Sequence, residues 1–173
     1  MPKGLKQTSS LITIGAVVET SAPNTFTQSQ IDLQLNPLDN EVFVVQAIDL
    51  NLTPPDFNGG FDSNTRGSLS TTSLTAVGGL QQSQVMAVAR DSIQVDTVTP
   101  TENAVAFSRT SGETPAVGAL EYIGIIATND FFLQISGTKN ISDKSMSAKI
   151  YGYRARADAA VYAGLVQSEL LSA

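Results

Sequence analysis

The sequence contains no cysteine, no histidine and no tryptophan among its 173 residues. Without cysteine, it can form neither a disulfide framework nor a thiolate metal site. Without histidine, it lacks the Ser-His-Asp triad, the imidazole-activated nucleophile and the ordinary zinc site. Acid–base chemistry would have to depend on carboxylate, lysine or tyrosine side chains. These absences argue against an enzyme and against a bound metal or other cofactor.

Charged residues are also scarce. They make up 15% of the sequence, against about 25% in an average globular protein, and serine, threonine, asparagine and glutamine replace them. Removing a hydroxyl or an amide from water costs less free energy than removing a charge. A surface of this kind suits a protein whose faces become buried against neighbouring chains. Copies of the chain itself are therefore the expected partners.

The sequence has no basic face for a nucleic acid. Its net charge is −6, and its basic clusters are small: Lys3 with Lys6, and Arg154 with Arg156. We therefore expect no direct nucleic-acid binding. No segment approaches the run of ~20 apolar residues that spans a bilayer.

Alternating apolar and polar residues, bounded by turn signals, predict a chain made mainly of strands. The predicted strands are Leu11–Glu19, Thr25–Leu35, Glu41–Thr53, Leu69–Val77, Val85–Ala89, Ser92–Val98, Ala119–Thr128, Phe131–Ser136 and Ser145–Ala155. Long loops are predicted at residues 54–68 and 99–118, the second with a candidate short strand at Ala104–Phe107. The pattern favours an all-β fold in a single domain over residues 1–173, a β-sandwich or single jelly roll of about eight strands.

Near the end of the chain, the spacing of apolar residues changes from the two-residue period of a strand to that of a helix. Apolar residues one helical turn apart predict a short C-terminal helix over about residues 158–171, with Asp158 as its N-cap.

Glu41–Thr53 is the strongest of the predicted strands. Its residues of one parity are predicted to face the core: Val42, Val44, Ile48, Leu50 and Leu52. Phe43 and Val45 have the opposite parity, so the start of this strand should be covered on both faces.

Six residues are candidates for an interface with another chain, because they are apolar, aromatic or arginine side chains expected outside the core. They are Phe43, Val45, Tyr151, Tyr153, Arg154 and Arg156. The two arginines could pair with an acidic residue of a neighbouring subunit or with Asp158 of the same chain, and the sequence leaves both pairings open.

Two groups of acidic residues are candidates for a catalytic or ion-binding site. The densest consists of Asp32, Asp39, Glu41 and Asp49. A glycosidase would need two carboxylates about 5–9 Å apart across a cleft, and solvated strand faces and turns are the favoured interpretation. The segment Asp62–Gly67 resembles the first half of a calcium loop. Arg66 and the lack of a closing carboxylate favour a flexible loop there, so ion binding is left open.

The aromatic residues could also serve a ligand. Tyr122, Tyr151 and Tyr153 could line a sugar-binding platform, but such platforms depend on tryptophan stacking. An interface or a core position is the favoured interpretation of these tyrosines.

Three segments carry a family resemblance: EVFVVQAIDLNLTPPD (residues 41–56), FFLQISG (131–137) and SAKIYGYRARAD (147–158). In length, strand pattern and surface character, the chain resembles the small major capsid proteins of tailless icosahedral double-stranded DNA viruses with an internal membrane. The resemblance implies an upright jelly roll that forms pseudo-hexagonal capsomers in the virion, side by side above a lipid layer. A second capsid protein would be a further partner. The resemblance does not account for the C-terminal helix.

Three hypotheses follow. The first is a self-assembling viral capsid subunit. The second is an extracellular filament or pilus subunit that donates the strand Leu11–Glu19 to the next copy. The third is a carbohydrate-binding or hydrolytic β-sandwich, which an exposed tyrosine row or a cleft with two close carboxylates would support.

Overall fold

A computed structural model describes residues 3–95, 105–110 and 120–171 of the chain. In chain order, these residues form β1 (Leu5–Gln7), β2 (Ile12–Glu19), β3 (Thr27–Asp32), β4 (Glu41–Leu52), β5 (Ser63–Ser70), β6 (Val85–Val95), β7 (Val105–Thr110), β8 (Gly124–Ile126), β9 (Asp130–Thr138), β10 (Ser145–Ala157) and α1 (Ala159–Leu171). A short 3-10 turn, Pro37–Asp39, precedes β4.

The strands form two sheets, and their pairing is nested. β2 pairs with β10, β3 with β9, β4 with β8 and β5 with β6, all antiparallel. The first sheet therefore has the order β2-β10-β4-β8, with β1 beside the far end of β10, and the second has the order β3-β9-β5-β6-β7. A long hairpin of strands rolled into two sheets in this way is a jelly roll. The predicted all-β jelly-roll sandwich with a C-terminal helix is confirmed.

The main core lies between the two sheets. Its largest fully buried side chains include Phe43 and Ile150 from the first sheet and Phe131 and Leu133 from the second. Along the first half of β10, buried residues such as Ile150 alternate with exposed or half-buried ones, as the two-residue period of a strand requires. Hydrophobic burial between the sheets is the main stabilising term.

A β-bulge changes the faces of β4. Tyr151 pairs with Ala47 while Gly152 pairs with Val45, so Gln46 is an extra residue on β4. Because an extra residue inverts the alternation, Val45 joins the main core and Val44 faces the opposite side. The predicted position of Val42 and Val44 on the same face as Ile48 is therefore wrong.

The helix α1 covers the opposite side of β4. The carboxylate of Asp158 accepts a hydrogen bond from the backbone N–H of Val161 at 2.9 Å, which confirms the predicted N-cap. Helix residues such as Leu165 pack against a second apolar cluster that includes Val42 and Val44. The prediction that β4 begins covered on both faces is thereby confirmed.

The strand boundaries between residues 54 and 98 differ from the prediction. Residues 63–70, predicted as part of a loop, form β5, and most of the predicted strand Leu69–Val77 lies in the segment after β5 that contains no strand. Several buried positions of β5 hold serine or threonine. Because a strand is predicted from alternating apolar residues, these hydroxyl side chains made the segment resemble a loop. The predicted strands Val85–Ala89 and Ser92–Val98 form one strand, β6, as far as Val95.

The long loop predicted at residues 99–118 contains one described strand, β7, at Val105–Thr110. It overlaps the candidate strand Ala104–Phe107. The rest of that predicted loop lies outside the described residues.

Candidate interaction surfaces

An ion pair between a buried lysine and a half-buried aspartate joins two loops at one end of the sandwich. The Lys144 ammonium lies 2.6 Å from a carboxylate oxygen of Asp56, and the lysine side chain is 2% exposed. The other Asp56 oxygen accepts hydrogen bonds from the backbone N–H groups of Ile141 and Ser142 at 2.9 and 2.8 Å. The hydrogen bond from Lys144, followed by those from the loop, holds the pKa of Asp56 well below its ordinary value, although burial opposes this shift.

A pair of asparagines connects a third loop at the same end. The side-chain oxygen of Asn24 accepts from the backbone N–H of Asn140 at 2.7 Å, and the Asn24 amide donates to the Asn140 carbonyl at 2.9 Å. The Asn140 side chain in turn accepts from the backbone N–H of Asp56 at 3.0 Å. The loops after β2, β4 and β9 are therefore fastened together.

This fastened end, here called the loop end, carries exposed apolar side chains. Phe57, Phe61 and Ile141 are 57%, 53% and 66% exposed. The ammonium of Lys139 lies 5.0 Å from the centre of the Phe61 ring, within the range of a cation–π contact. Rigid loops with apolar tips form a surface that another protein could cover.

The strand β7 forms an edge of the second sheet and is exposed along its whole length. Val105 and Phe107 are 50% and 53% exposed. The Arg109 guanidinium donates to both carboxylate oxygens of Asp91 on β6, with the closest distance 2.7 Å, and Asp91 is buried. This bidentate pair holds the strand against the sheet.

Among the described strands, none pairs along the flank beside β7. β8 pairs with β4 only at Phe43–Val45, so the later residues of β4 form an edge of the first sheet. A cleft of about 410 Å³ lies between Asp49–Leu52 of that edge and the Asp91–Arg109 pair. Within the part of the chain that the structure describes, two strand edges therefore lie on this side of the sandwich.

The six candidate interface residues lie in different environments. Phe43 and Val45 are buried in the main core, and Tyr153 is buried in the cluster beneath α1. Burial raises the pKa of the Tyr153 hydroxyl. Tyr151 is half-buried on the outer face of the first sheet.

The two candidate arginines pair within the chain. Arg154 lies 3.1 Å from Glu41 and donates to the carbonyl of Leu33 at 2.9 Å. Arg156 pairs with Asp39. The suggested pairing with Asp158 is wrong, because that carboxylate caps α1.

The acidic group does not form a catalytic pair. Asp39 and Glu41 pair with arginines, and Asp32 accepts from the backbone N–H of Gln34 at 2.8 Å. Asp49 lines the open-flank cleft with Asp91, but both oxygens of Asp91 already accept from Arg109.

The favoured interpretation of Tyr153 and Tyr122 as core or interface residues, and not as a sugar-binding platform, agrees with their positions. Tyr153 is buried, and Tyr122 packs against the same cluster beneath the helix. Among the described residues, the tyrosines therefore do not make an exposed row.

The segment Asp62–Gly67 does not form a calcium loop. From Ser63 onward it is part of β5, so its side chains alternate between the two faces of the sheet. Ser63 and Thr65 are buried on one face, whereas Arg66 is exposed on the other. Within residues 3–95, 105–110 and 120–171, no three acidic side chains group together as metal ligands.

Sequence reasoning missed the Asp56–Lys144 pair, and it missed the full length of β7 and its position at the edge of the sheet. Asp56 follows two prolines and Lys144 lies in a polar turn, 88 residues later, so no periodic signal connects them. For β7, the alternation of Val105 and Phe107 was present but short. No helix among the described residues is long and apolar enough to span a bilayer.

Comparison with known proteins gives distant structural matches. No protein-family model and no curated protein match the sequence. VP1 of Trichodysplasia spinulosa-associated polyomavirus, solved with 3'-sialyllactose, is 9% identical, with a TM-score of 0.38 over 88% of this chain and 97% of that one. A Desmodium yellow mottle tymovirus structure is 8% identical, with a TM-score of 0.32 over 92% and 95% of the two chains. A maize chlorotic mottle virus structure is 8% identical, with a TM-score of 0.29 over 86% and 96%. At these values, the assignment of a jelly roll depends on the strand pairing of the chain itself.

Proposed function

We propose that the chain is a structural protein without enzymatic activity, a viral capsid subunit that assembles with copies of itself into the shell of a virion. The jelly roll supplies a rigid block. The low proportion of charge reduces the cost of burying its faces against neighbours. The whole sequence, residues 1–173, would act as one such block.

The exposed edge strand β7 is the observation that carries this proposal. An edge strand presents unpaired backbone donors and acceptors, and natural proteins usually protect it with charge, proline or a covering segment. Here the described part of the edge presents Val105 and Phe107 to solvent. Exposed apolar edges of this kind are sites of association.

The other contacts of the subunit would come from the loop end and from the outer face of the first sheet. Tyr151, Arg154 and Arg156 remain candidates for contacts between copies, because each keeps exposed surface. Phe43, Val45 and Tyr153 would support such contacts only indirectly, by fixing the sheet and the helix.

The finer assignment is to the capsids of tailless icosahedral viruses with an internal membrane. The three segments that carry that resemblance lie in β4, β9 and β10. A second capsid protein and a nearby lipid layer would then be further partners. Direct contact with the genome is not expected at a net charge of −6.

The test replaces Phe107 with serine and measures particle size by sedimentation velocity and negative-stain imaging. The native chain should form closed shells or discrete rings of five or six subunits, and Phe107→Ser should shift most of the protein to smaller species. The matched control is Leu80→Ser. Like Phe107→Ser, it removes a large apolar side chain from the surface, since Leu80 is 74% exposed on a loop. It should leave assembly unchanged.

Three outcomes would count against the proposal. A native chain that stays monomeric, alone and with a second capsid protein, would exclude self-assembly. Fibres would favour strand exchange between copies, although β2 already pairs with β10 of its own chain over eight residues. If Phe107→Ser and Leu80→Ser changed particle size equally, β7 would not be part of the interface between copies.

A further inference from the structure

Two arginines lie side by side on the outer face of the second sheet. Arg66 on β5 and Arg90 on β6 are direct partners in the strand register, so their Cβ atoms are about 5 Å apart. Both side chains are exposed. Like charges directly opposite each other on neighbouring strands are destabilising.

No carboxylate within residues 3–95, 105–110 and 120–171 forms an ion pair with either arginine. The next partners in the same row are Ser136 on β9 and Thr110 on β7, both neutral. Among the residues that the structure describes, the ion pairs involve other cations, and neither Arg66 nor Arg90 donates a hydrogen bond. This is unusual in a chain with 16 acidic and 10 basic residues, where carboxylates are in excess.

The pair lines a cleft. The segment after β5 folds over the outer face of the sheet, and its glycines, Gly78 and Gly79, form a wall opposite the two arginines. The volume is about 400 Å³, which is enough for a small anion or for one sugar unit that carries an anionic group.

Hydrogen bonds next to the cleft hold its glycine wall in place. The buried Ser68 hydroxyl donates to Gln134 at 2.8 Å and accepts from the backbone N–H of Gly78 at 2.9 Å. Gln134 in turn donates to Ser70 at 2.7 Å. The wall is thus fastened to the sheet, and the positions of the arginine backbones are fixed by pairing on both sides.

We propose that Arg66 and Arg90 bind one oxyanion between them, a sulfate or phosphate group, free or carried on a sugar. Each guanidinium can donate two parallel hydrogen bonds to such a group. Two positive charges match a doubly charged anion, and the bound anion removes the repulsion between the arginines. The cleft contains no residue of β7, and the proposed site does not depend on the capsid proposal.

The test is a calorimetric titration of the full chain with sodium sulfate and sodium phosphate, with sodium chloride at equal ionic strength as the reference. The native protein should bind about one anion per chain. Arg66→Gln and Arg90→Gln should each weaken binding at least about tenfold. The matched control is Lys149→Gln, which removes one exposed positive charge from the other sheet and should change affinity less than about twofold.

Further variants separate a binding role from a structural one. Arg66→Lys keeps the charge but loses the planar fork, so its affinity should fall between those of the native chain and Arg66→Gln. In chloride, the glutamine variants should unfold at the same temperature as the native chain or higher, because the repulsion is gone. In saturating sulfate the order should reverse, with the native chain more stable.

A sulfated disaccharide distinguishes the two sources of the anion. Tighter, arginine-dependent binding of the disaccharide than of inorganic sulfate would assign the site to a sulfated sugar, and equal or weaker binding to the free ion. The proposal is overturned if sulfate affects the native chain and the glutamine variants equally. It is also overturned if the native chain binds neither sulfate nor phosphate. A change of particle size in the variants would then make acidic residues of a second copy the partners.

Discussion

At the scale of single residues, the Asp56 side chain alone makes several of the contacts that hold two loops together. One carboxylate accepts from a buried lysine and from two backbone N–H groups of another loop. A buried cation left without its partner is far more costly than an exposed one. The loop end should therefore depend on this side chain more than on any surface ion pair.

We predict that Asp56→Asn destabilises the protein by about 3 kcal/mol at neutral pH, because Lys144 loses its counter-charge while it remains buried. Urea unfolding measures this free energy. The control, Asp39→Asn, breaks a pair whose side chains are both more than half exposed and should cost less than about 1 kcal/mol. Equal effects of the two substitutions would contradict the role of burial.

The same pair gives a pH dependence. The folded pKa of Asp56 lies below its ordinary value of 3.8, so its contribution to stability is complete above that pH and is lost as the pH falls below it. The difference in unfolding free energy between the native chain and Asp56→Asn should therefore be constant from pH 7 to about pH 5 and shrink below pH 4. A difference that grew toward acid would contradict this assignment.

Gly152 marks the bulge between β4 and β10. A Cβ there would collide with the carbonyl oxygen of Val44 and lie 2.7 Å from the Phe43 ring. We predict that Gly152→Ala lowers the melting temperature by at least about 4 °C, as overpacking of a core does. Gly15→Ala is the matched control, because a Cβ at Gly15 meets nothing within 4 Å. Calorimetry should find it unchanged or slightly more stable.

At the scale of the element, α1 is fastened by its last turn as well as by its apolar face. The Glu169 carboxylate is buried and accepts from the backbone N–H groups of Ala127 and Thr128, both at 2.8 Å. These two groups follow β8 directly and would otherwise be unpaired. The helix thereby completes the hydrogen bonding of the loop between β8 and β9.

We predict that Glu169→Ala costs about 2 kcal/mol, because it leaves a buried N–H without an acceptor. Amide exchange at Ala127 and Thr128 should accelerate more than exchange in β9. Glu169→Gln keeps one acceptor oxygen and should lose about half as much. Gln167→Ala, on the exposed side of the same helix, should leave all these rates unchanged.

The elements that were predictable from the sequence are those with long, regular patterns. β4, β10 and α1 begin and end within two residues of their predicted bounds, because apolar alternation or helical spacing persists over ten residues or more. β5 was not predicted because many of its buried side chains carry hydroxyl groups, and serine and threonine in sequence are typical of loops. The face reversal at Gln46 was also hidden, since a bulge has no composition of its own.

At the scale of the whole molecule, the class of fold was predictable but the interaction surfaces were not. Strand number and turn spacing indicate a sandwich, and the nested order then follows from few alternatives. The partners of Arg154 and Arg156, by contrast, are 113 and 117 residues away in sequence. Contacts over such distances exist only after folding, so no local reading identifies them.

The nested pairing also sets the order of events during synthesis. β10 is the partner of β1, β2 and β4, yet it emerges from the ribosome after all of them. Until residues 145–157 exist, the first sheet cannot form, and the apolar faces of β2 and β4 remain without their main neighbour. A nascent chain would thus depend on chaperones for most of its length. Once β10 is complete, the first sheet can form and the chain can fold. A chain that ends before β10 would keep the apolar faces of β2 and β4 exposed, and it would therefore tend to aggregate.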